Sequence, residues 1–288
     1  MQLSRKNERV SSLKENSLYH YTDFSALDGI LSNSELRLNN VLNMNDASEM
    51  LLFMDGLCRA VSEKFRAEGD ADREEWTKKT FSEEKEKEFV YSAYAACFSC
   101  YRDDAAQWER YANRGRGVCI AFREDLLRRM AVEPLSLETV FYQDNVGEHE
   151  LVERLYQLIR ENGNPLHVTP EIREALNHAL AASAEFNHPS FASEKEFRLV
   201  VSPFEQGFFD VKPRYHVSKE RIKKYYPVDL QKMCQMAGMR LEDLLPELIV
   251  GPESTQSIPI LQDYLNAHGY ARLSGRVSQS ASPLRDRF

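Results

Sequence analysis

The 288-residue sequence predicts an α+β protein with a central mixed or antiparallel sheet flanked by helices. Short apolar segments with strand periodicity recur along the chain, and segments with one apolar helical face lie between them. No internal repeat, low-complexity stretch or linker divides the sequence. We therefore expect a single domain over residues 17–273, after a polar lead-in at 1–16 and before a polar C-terminal tail at 274–288. Two helical insertions are predicted, a charged one at 67–88 and a second at 148–187.

The first predicted unit is a strand at 18–21 followed at once by a helix. Asp23 can cap this helix because its side-chain oxygen can accept a free backbone N–H. The apolar residues of 24–31 fall on one helical stripe, and residues 35–38 alternate like a second strand. His20, beside Tyr21 and Thr22 at the strand end, is a predicted contact for a small polar ligand.

The polar loop at 43–49 supports two interpretations. Asn45 or Asp46 can cap the following helix, with Glu49 completing a capping box. Alternatively, the loop lies close to His20 and Asn45 contacts a ligand.

A compact core unit is predicted over residues 89–122. An apolar strand at 89–99 precedes a short helix opened by Asp103 and Asp104, and a glycine turn leads to a second buried strand at 118–122. Further strands are predicted at 140–142, 194–202, 208–217, 225–228 and 248–250, and helices at 148–160, 170–186, 229–238 and 257–268.

The bulk composition limits the location and the partners. A net charge of −8 argues against nucleic-acid binding by the whole surface, but local basic groups at 110–116, 128–129 and 219–224 leave a basic groove open. No apolar run is long enough to cross a bilayer and no signal core is evident, so we expect a cytoplasmic protein without membrane contact. The five cysteines are interpreted as reduced thiols, and no metal site is expected because the C-x-x-C at 97–100 has no second pair.

A late strand carries the predicted catalytic group. Alternation places Glu194, Glu196 and Arg198 on one face of the strand predicted at 194–202. Buried charges need partners, and Arg198 can neutralise only one of the two glutamates. Glu194 or Glu196 is therefore the predicted catalytic residue.

Six motifs along the chain form a specific set. They are Leu18-Tyr19-His20-Tyr21-Thr22, Asn45-Asp46-x-x-Glu49, Cys97-Phe98-Ser99, Gln107-Trp108-x-x-Tyr111-Ala112-x-x-Gly115-x-Gly117-Val118-x-Ile120-x-Phe122, Phe191-x-x-Glu194-x-Glu196-Phe197-Arg198 and Ile249-Val250-Gly251-Pro252. Together they resemble the bacterial DUF2971 family, a group of uncharacterised proteins, from about residue 17 to residue 273. The motif that ends at Arg198 usually has Trp where this chain has Phe197, a departure that concerns packing more than chemistry.

A looser resemblance concerns the ADP-ribosyltransferase fold. It implies that His20 holds the nicotinamide-side ribose of NAD, that Tyr21 or Ser99 packs on the nicotinamide, and that Glu196 orients the ribose. The implied ligand-binding set is completed by Thr22, Asn45 and Arg198.

This resemblance implies an NAD-consuming ADP-ribosyltransferase or NAD glycohydrolase, acting as a bacterial toxin or phage-defence effector. Cleavage of the nicotinamide–ribose bond develops positive charge on the sugar, which a carboxylate on the 2′-hydroxyl stabilises. We expect neutral His20 to donate a hydrogen bond to a ribose hydroxyl. The acceptor could be a nucleic acid, a protein or water, and the oligomeric state stays open.

Two other function classes stay open beside this one. The protein could be a non-catalytic ligand-sensing or partner-binding protein. It could also be a metal-dependent nucleic-acid-processing enzyme that uses Glu194, Glu196 and Asp46 as ligands.

Overall fold

The structure is a computed structural model that describes most of the chain. For residues 48–51 and 85–91 it describes the backbone but not the side chains. The described residues are 17–41, 48–91, 93–132, 135–142, 146–163, 166–201, 211–217 and 222–283.

A ten-stranded mixed sheet forms the centre of the described chain, which confirms the α+β class. Its strands are β1 (Ser17–Thr22), β2 (Glu35–Asn40), β3 (Tyr94–Ser99), β4 (Val118–Arg123), β5 (Leu135–Thr139), β8 (Glu196–Val201), β9 (Arg214–Val217), β10 (Ile222–Asp229), β11 (Glu247–Val250) and β12 (Val277–Gln279). They follow the order β12-β11-β4-β1-β3-β2-β10-β9, while β8 pairs with both β3 and β5. Among the strands that the structure describes in this sheet, only β11 and β12 are parallel neighbours. A separate parallel pair joins β6 (Phe141–Tyr142) to β7 (Phe186–Asn187).

Helices cover both faces of this sheet. They are α1 (Phe24–Asn33), α2 (Ser48–Glu68), α3 (Ala71–Tyr91), α4 (Ala105–Tyr111), α5 (Glu124–Met130), α6 (Glu150–Glu161), α7 (Pro170–Ala182), α8 (Leu230–Met236), α9 (Leu241–Leu244), α10 (Ile258–Ala267) and α11 (Ala271–Ser274). Within the described ranges, no helix is long and apolar enough to cross a bilayer.

The hydrophobic core consists of three clusters. Helices α1, α5, α8 and α10 pack on one face of the sheet. On the other face, α2, α6 and α7 pack over Ala95 and Val200, and Phe81 of α3 joins them. A smaller cluster on that second face surrounds Trp108 of α4 and includes Tyr19 and Tyr21. The second face is therefore apolar at two places, with a polar interval of β3 and β8 between them.

The cap of α1 and the glycine turn after α4 form as the sequence predicts. Asp23 accepts a hydrogen bond from the Ala26 N–H at 2.7 Å and so caps α1. The turn after α4 packs against the end of β1, because a Cβ on Gly117 would lie 2.1 Å from the Thr22 carbonyl oxygen. A Cβ on Gly251 would likewise lie 2.2 Å from the Gly115 carbonyl oxygen. Only glycine permits such backbone contacts.

Several predicted boundaries are wrong. The strand predicted at 89–99 begins only at Tyr94, since α3 continues to Tyr91. The strand predicted at 194–202 begins at Glu196. The tail predicted at 274–288 contributes β12 to the sheet edge. The charged segment at 67–88 is helical as predicted, comprising the end of α2 and most of α3. The predicted residues 1–16, the loop at 43–47 and much of the strand at 208–217 lie outside the described residues.

Candidate functional site

The sheet opens between β1 and β2, which both lie along the same edge of β3. β1 pairs with the end of β3, where Tyr19 is opposite Ser99, and β2 pairs with its beginning, where Asn39 is opposite Ala95. On its other edge β3 pairs with β8 over its full length. Across the described residues, positions 96–98 of β3 have no registered partner in β1 or β2. A cavity of about 650 Å³ lies at this opening.

The predicted site residues largely converge on this cavity. His20, Thr22, Glu194, Glu196 and Arg198 all line it. A smaller pocket of about 90 Å³ shares His20 and both glutamates and is also lined by Tyr21 and Ser99. The remaining predicted contact, Asn45, lies outside the described residues.

His20 lies in the sheet opening with a defined hydrogen-bond role. Its Nδ1 is 2.8 Å from the carbonyl oxygen of Cys97. Because a carbonyl oxygen only accepts, Nδ1 must carry the proton. Burial lowers the pKa of His20, so the ring is neutral near pH 7 and Nε2 is an acceptor. The predicted donation of a hydrogen bond from neutral His20 to a ribose hydroxyl is therefore wrong, since Nε2 can only accept one.

Aromatic packing fixes the imidazole plane. The ring centroid of His20 lies 5.7 Å from that of Phe98 and 6.5 Å from that of Phe122. Within the described chain, Nε2 of His20 has no hydrogen-bond partner. A ligand hydroxyl in the cavity could thus bind there without displacing a protein group.

Glu196 is anchored through one of its two carboxylate oxygens. Oε2 accepts a hydrogen bond from Nη2 of Arg198 at 2.9 Å, and Nη1 of Arg198 donates to the Ala184 carbonyl at 3.0 Å. The side chains of Glu196 and Arg198 are only 10% and 3% exposed. Oε1 of Glu196 has no hydrogen-bond partner among the described residues. The carboxylate therefore has a fixed position and one oxygen available to a ligand.

Glu194 has a different environment from the one predicted. It ends a 3₁₀ turn, Pro189–Glu194, and Lys195 follows with a φ of 46°, so Glu194 is not on the strand of Glu196. Arg110 donates to its Oε1 at 2.5 Å, and the Tyr111 hydroxyl lies 3.1 and 3.2 Å from its two oxygens. Both glutamates thus have a partner, and the argument that one of them must be surplus is wrong.

Burial dominates the electrostatics around Glu194. It raises the pKa of the Glu194 carboxyl, against the opposing effect of the Arg110 hydrogen bond. It also raises the pKa of Tyr111, and the adjacent Glu194 charge raises it further. Tyr111 consequently stays protonated and can donate to the glutamate throughout the physiological pH range.

Tyr21 and Ser99 have their hydroxyl groups engaged by the protein. The Ser99 hydroxyl donates to the Glu194 carbonyl at 2.9 Å and accepts from the Tyr101 N–H at 3.1 Å. The Tyr21 hydroxyl donates to the Tyr101 carbonyl at 2.8 Å and accepts from the Asp104 N–H at 2.9 Å. These bonds position the 99–104 segment, so both residues support the site wall.

Sequence reasoning assigned no role to several residues of the cavity. Tyr111 belongs to a quoted motif and Arg110 occupies one of its unspecified positions, but their partner Glu194 is more than eighty positions away. Arg37, His216 and Lys223 line the cavity from β2, β9 and β10. The available signal in the sequence was their alternating positions in short strands. That signal identifies cavity residues only when it is known which strand lies beside the cavity.

A metal site is not built by the residues that the structure describes. No three His, Cys, Asp or Glu side chains among them are grouped closely enough to hold an ion. Asp46, a ligand in the metal-dependent alternative, lies outside the described residues.

Comparison with known proteins addresses the family. Residues 107–199 match the family model DUF2971, described as a protein of unknown function. The matched segment covers most of α4 and the first part of β8, including Arg110, Tyr111 and both glutamates, whereas His20 lies outside it. No curated protein and no solved structure matches the chain. The resemblance to DUF2971 is therefore confirmed, over residues 107–199.

Proposed function

We propose that this protein consumes NAD, as an ADP-ribosyltransferase or an NAD glycohydrolase, in the cavity at the sheet opening. The observation that supports the proposal is that His20 from β1 and Glu196 from β8 line one cavity at the sheet opening, which they reach from opposite faces of the sheet. The cavity volume of about 650 Å³ lies within the range of small-molecule sites.

The chemistry requires one carboxylate and a positioned ribose. The bond between ribose C1′ and the nicotinamide nitrogen breaks and its electron pair leaves with nicotinamide, while water or the acceptor nucleophile forms the new bond to C1′ and loses a proton to solvent. Positive charge then develops on the sugar, and Oε1 of Glu196 stabilises it by accepting a hydrogen bond from the 2′-hydroxyl. Arg198 orients this carboxylate through a charge-assisted hydrogen bond to Oε2.

His20 would bind the second ribose hydroxyl. Its Nδ1 proton is held by the Cys97 carbonyl, so the hydroxyl donates to Nε2. This arrangement fixes the ribose from two sides without a proton transfer to the ring.

The test is release of nicotinamide from NAD by purified protein. Glu196→Gln should lower turnover by roughly 100-fold or more, because it removes charge stabilisation of the transition state. His20→Ala should also lower it, with a larger effect on KM than Glu196→Gln has. Exposed Glu109→Gln on α4 is the matched control and should retain turnover. Unchanged turnover in Glu196→Gln and His20→Ala, with folding verified by thermal melting, would falsify the assignment.

A ligand titration separates this proposal from the two other classes. NAD should raise the melting temperature, because a ligand that binds only the folded state stabilises it. A shift with Mg²⁺ or Mn²⁺ and none with NAD would favour the metal-dependent nucleic-acid-processing enzyme. A shift with NAD that is not followed by nicotinamide release would favour a non-catalytic sensor.

The proposed biological setting is a bacterial toxin or phage-defence effector. Expression of the wild-type chain should then arrest bacterial growth and deplete cellular NAD, whereas Glu196→Gln should not. Equal growth of cells that express the wild type and Glu196→Gln at the same level would contradict this proposed role.

A further inference from the structure

Gln107 of α4 has a buried side-chain amide that the proposed reaction does not yet use. The residue is only 6% exposed, and it lines the pocket of about 90 Å³, which we call the inner pocket. Within the described chain, its side-chain oxygen and nitrogen have no hydrogen-bond partner. Buried side-chain amides are nearly always hydrogen-bonded, because an unpaired one costs free energy. An unpaired amide beside a pocket therefore indicates a contact for a ligand.

Helix α4 holds Gln107 beside the inner pocket. Asp104 caps the helix by accepting hydrogen bonds from the N–H groups of Ala106 and Gln107, both at 3.0 Å. Fully buried Trp108 packs the helix against β1. Gln107 and Tyr111 are four positions apart, so they share one face of the helix, and both line the inner pocket. The fold thus fixes the position of Gln107 before any ligand binds.

The other polar side chains of the inner pocket have different roles. The hydroxyl groups of Tyr21, Ser99 and Tyr111 bind protein groups. Nε2 of His20 and Oε1 of Glu196 can only accept hydrogen bonds. Among the unused side-chain groups described in this pocket, the Gln107 amide is therefore the one that offers a strong N–H donor together with an acceptor. A ligand group that matches it needs both an oxygen acceptor and an N–H donor, as a primary carboxamide has.

The charges around the inner pocket favour a cationic ring. Glu194 and Glu196 line it, whereas no lysine or arginine does so among the described residues. The arginines that pair with these carboxylates, Arg110 and Arg198, line the larger cavity instead. A positively charged ring in the inner pocket thus meets the carboxylate side of both ion pairs. The pocket has room for several water molecules or for one small ring in their place.

We propose that the inner pocket binds the nicotinamide ring and that Gln107 determines specificity for its carboxamide, an inference that rests on the proposed NAD chemistry. The Gln107 N–H donates to the carboxamide oxygen, and the Gln107 oxygen accepts from the carboxamide N–H. The ring enters as a cation and becomes neutral nicotinamide when it takes the electron pair of the broken bond to ribose C1′. The contact with Gln107 is the same before and after this step, so free nicotinamide also binds.

Binding of nicotinamide alone tests the inner pocket without turnover. Isothermal titration calorimetry should show that the wild type binds nicotinamide roughly tenfold or more tightly than 3-acetylpyridine, in which a methyl group replaces the amide nitrogen. Gln107→Met keeps the length of the side chain but removes both hydrogen-bonding groups, so it should bind the two compounds equally. Exposed Gln235→Met, on α8 across the sheet, is the matched control and should keep the preference. Equal binding of the two compounds by the wild type, or an unchanged preference in Gln107→Met, would overturn the role of Gln107.

Turnover connects the inner pocket to the proposed reaction. The ratio of kcat/KM for NAD to that for its acetylpyridine analogue should fall by roughly tenfold from wild type to Gln107→Met, because only the carboxamide uses both amide contacts. Nicotinamide release with the same ratio in both proteins overturns the inference and leaves the proposed NAD function intact. Nicotinamide binding that depends on Gln107, in a protein that releases none from NAD, would support the carboxamide contact and contradict the proposed NAD function.

Discussion

His20 is held in the fold with a neutral imidazole ring, so the free energy of unfolding depends on pH. Its pKa is lowered in the folded protein, so the unfolded chain binds its proton more readily. The stability that this group contributes is present above the unfolded value of about 6.5 and is lost as pH falls through the folded pKa.

We therefore expect the free energy of unfolding of the wild type to fall more steeply from pH 7.5 to pH 5 than that of His20→Gln. Urea unfolding at a series of pH values measures the two slopes. His149, whose pKa is also lowered by burial, is present in both proteins and does not affect the comparison. Parallel pH profiles would mean that His20 is not buried in its neutral form.

Glu185 is a partly buried carboxyl whose contribution to stability has the opposite pH dependence. Burial, together with the charge of Glu138, raises its pKa to about 7. Its contribution is fully present below the unfolded pKa of about 4.5 and is lost as pH rises through 7. At pH 8 Glu185→Gln should be more stable than wild type by roughly 1–3 kcal/mol, and near pH 4.5 the two should converge. Thermal and urea unfolding at both pH values check this, with exposed Glu174→Gln as the control that should show no such difference.

At the residue scale, the sequence predicts several side chains of the cavity but not how they are partnered. His20 and Glu196 do line one cavity, although the strand register places them on opposite faces of the sheet, so alternation alone does not predict that they meet. The pairing of Glu194 with Arg110 depends on how a 3₁₀ turn approaches α4, which no local pattern encodes. The tautomer of His20 likewise depends on a carbonyl from a distant strand.

At the scale of elements, the site depends on the opening in the sheet and on the glycine turn beside it. Strand periodicity indicates faces, yet it does not show that β1 and β2 share one edge of β3. The same limit explains the misplaced start of β8, where Lys195 in a left-handed conformation separates Glu194 from the strand. The core strands β1, β3 and β4 were predictable because their apolar runs are nearly continuous.

Gly117 connects this architecture to the cavity and supports a specific prediction. A methyl group there would lie 2.1 Å from the Thr22 carbonyl oxygen and 3.0 Å from that of Ala112, so the backbone would have to move. Gly117→Ala should cost roughly 2 kcal/mol or more and weaken ligand binding, because Thr22 lines the cavity. Gly163→Ala, with no atom within 4 Å of the added carbon, should leave binding unchanged. Urea unfolding and NAD titration measure both effects, and equal behaviour of the two variants would contradict the close packing.

At the scale of the whole molecule, the C-terminal segment connects the sheet edge to the site helix. β12 pairs with β11. Beyond the end of β12, the Ser280 hydroxyl donates a hydrogen bond to Asp103, and the Ala281 N–H donates another at 2.7 Å. Asp103 also accepts from the buried Trp108 indole N–H at 2.7 Å. The sequence did not predict this strand because the three residues Val277–Gln279 are too few to show an alternating pattern, and they form a strand by pairing with the edge of β11.

A truncation tests whether this segment stabilises the site. Removing residues 277–288 deletes β12 and two hydrogen bonds to Asp103, each worth about 1.5–3 kcal/mol when it involves a charged group. We expect a loss of roughly 3 kcal/mol, which lowers the melting temperature by about 5–10 °C. Since α4 carries both Trp108 and the partners of Glu194, NAD binding should weaken as well. Removing only residues 284–288 leaves every described contact in place and should change neither property. If the two truncations melt alike and bind alike, the segment after β11 does not hold α4.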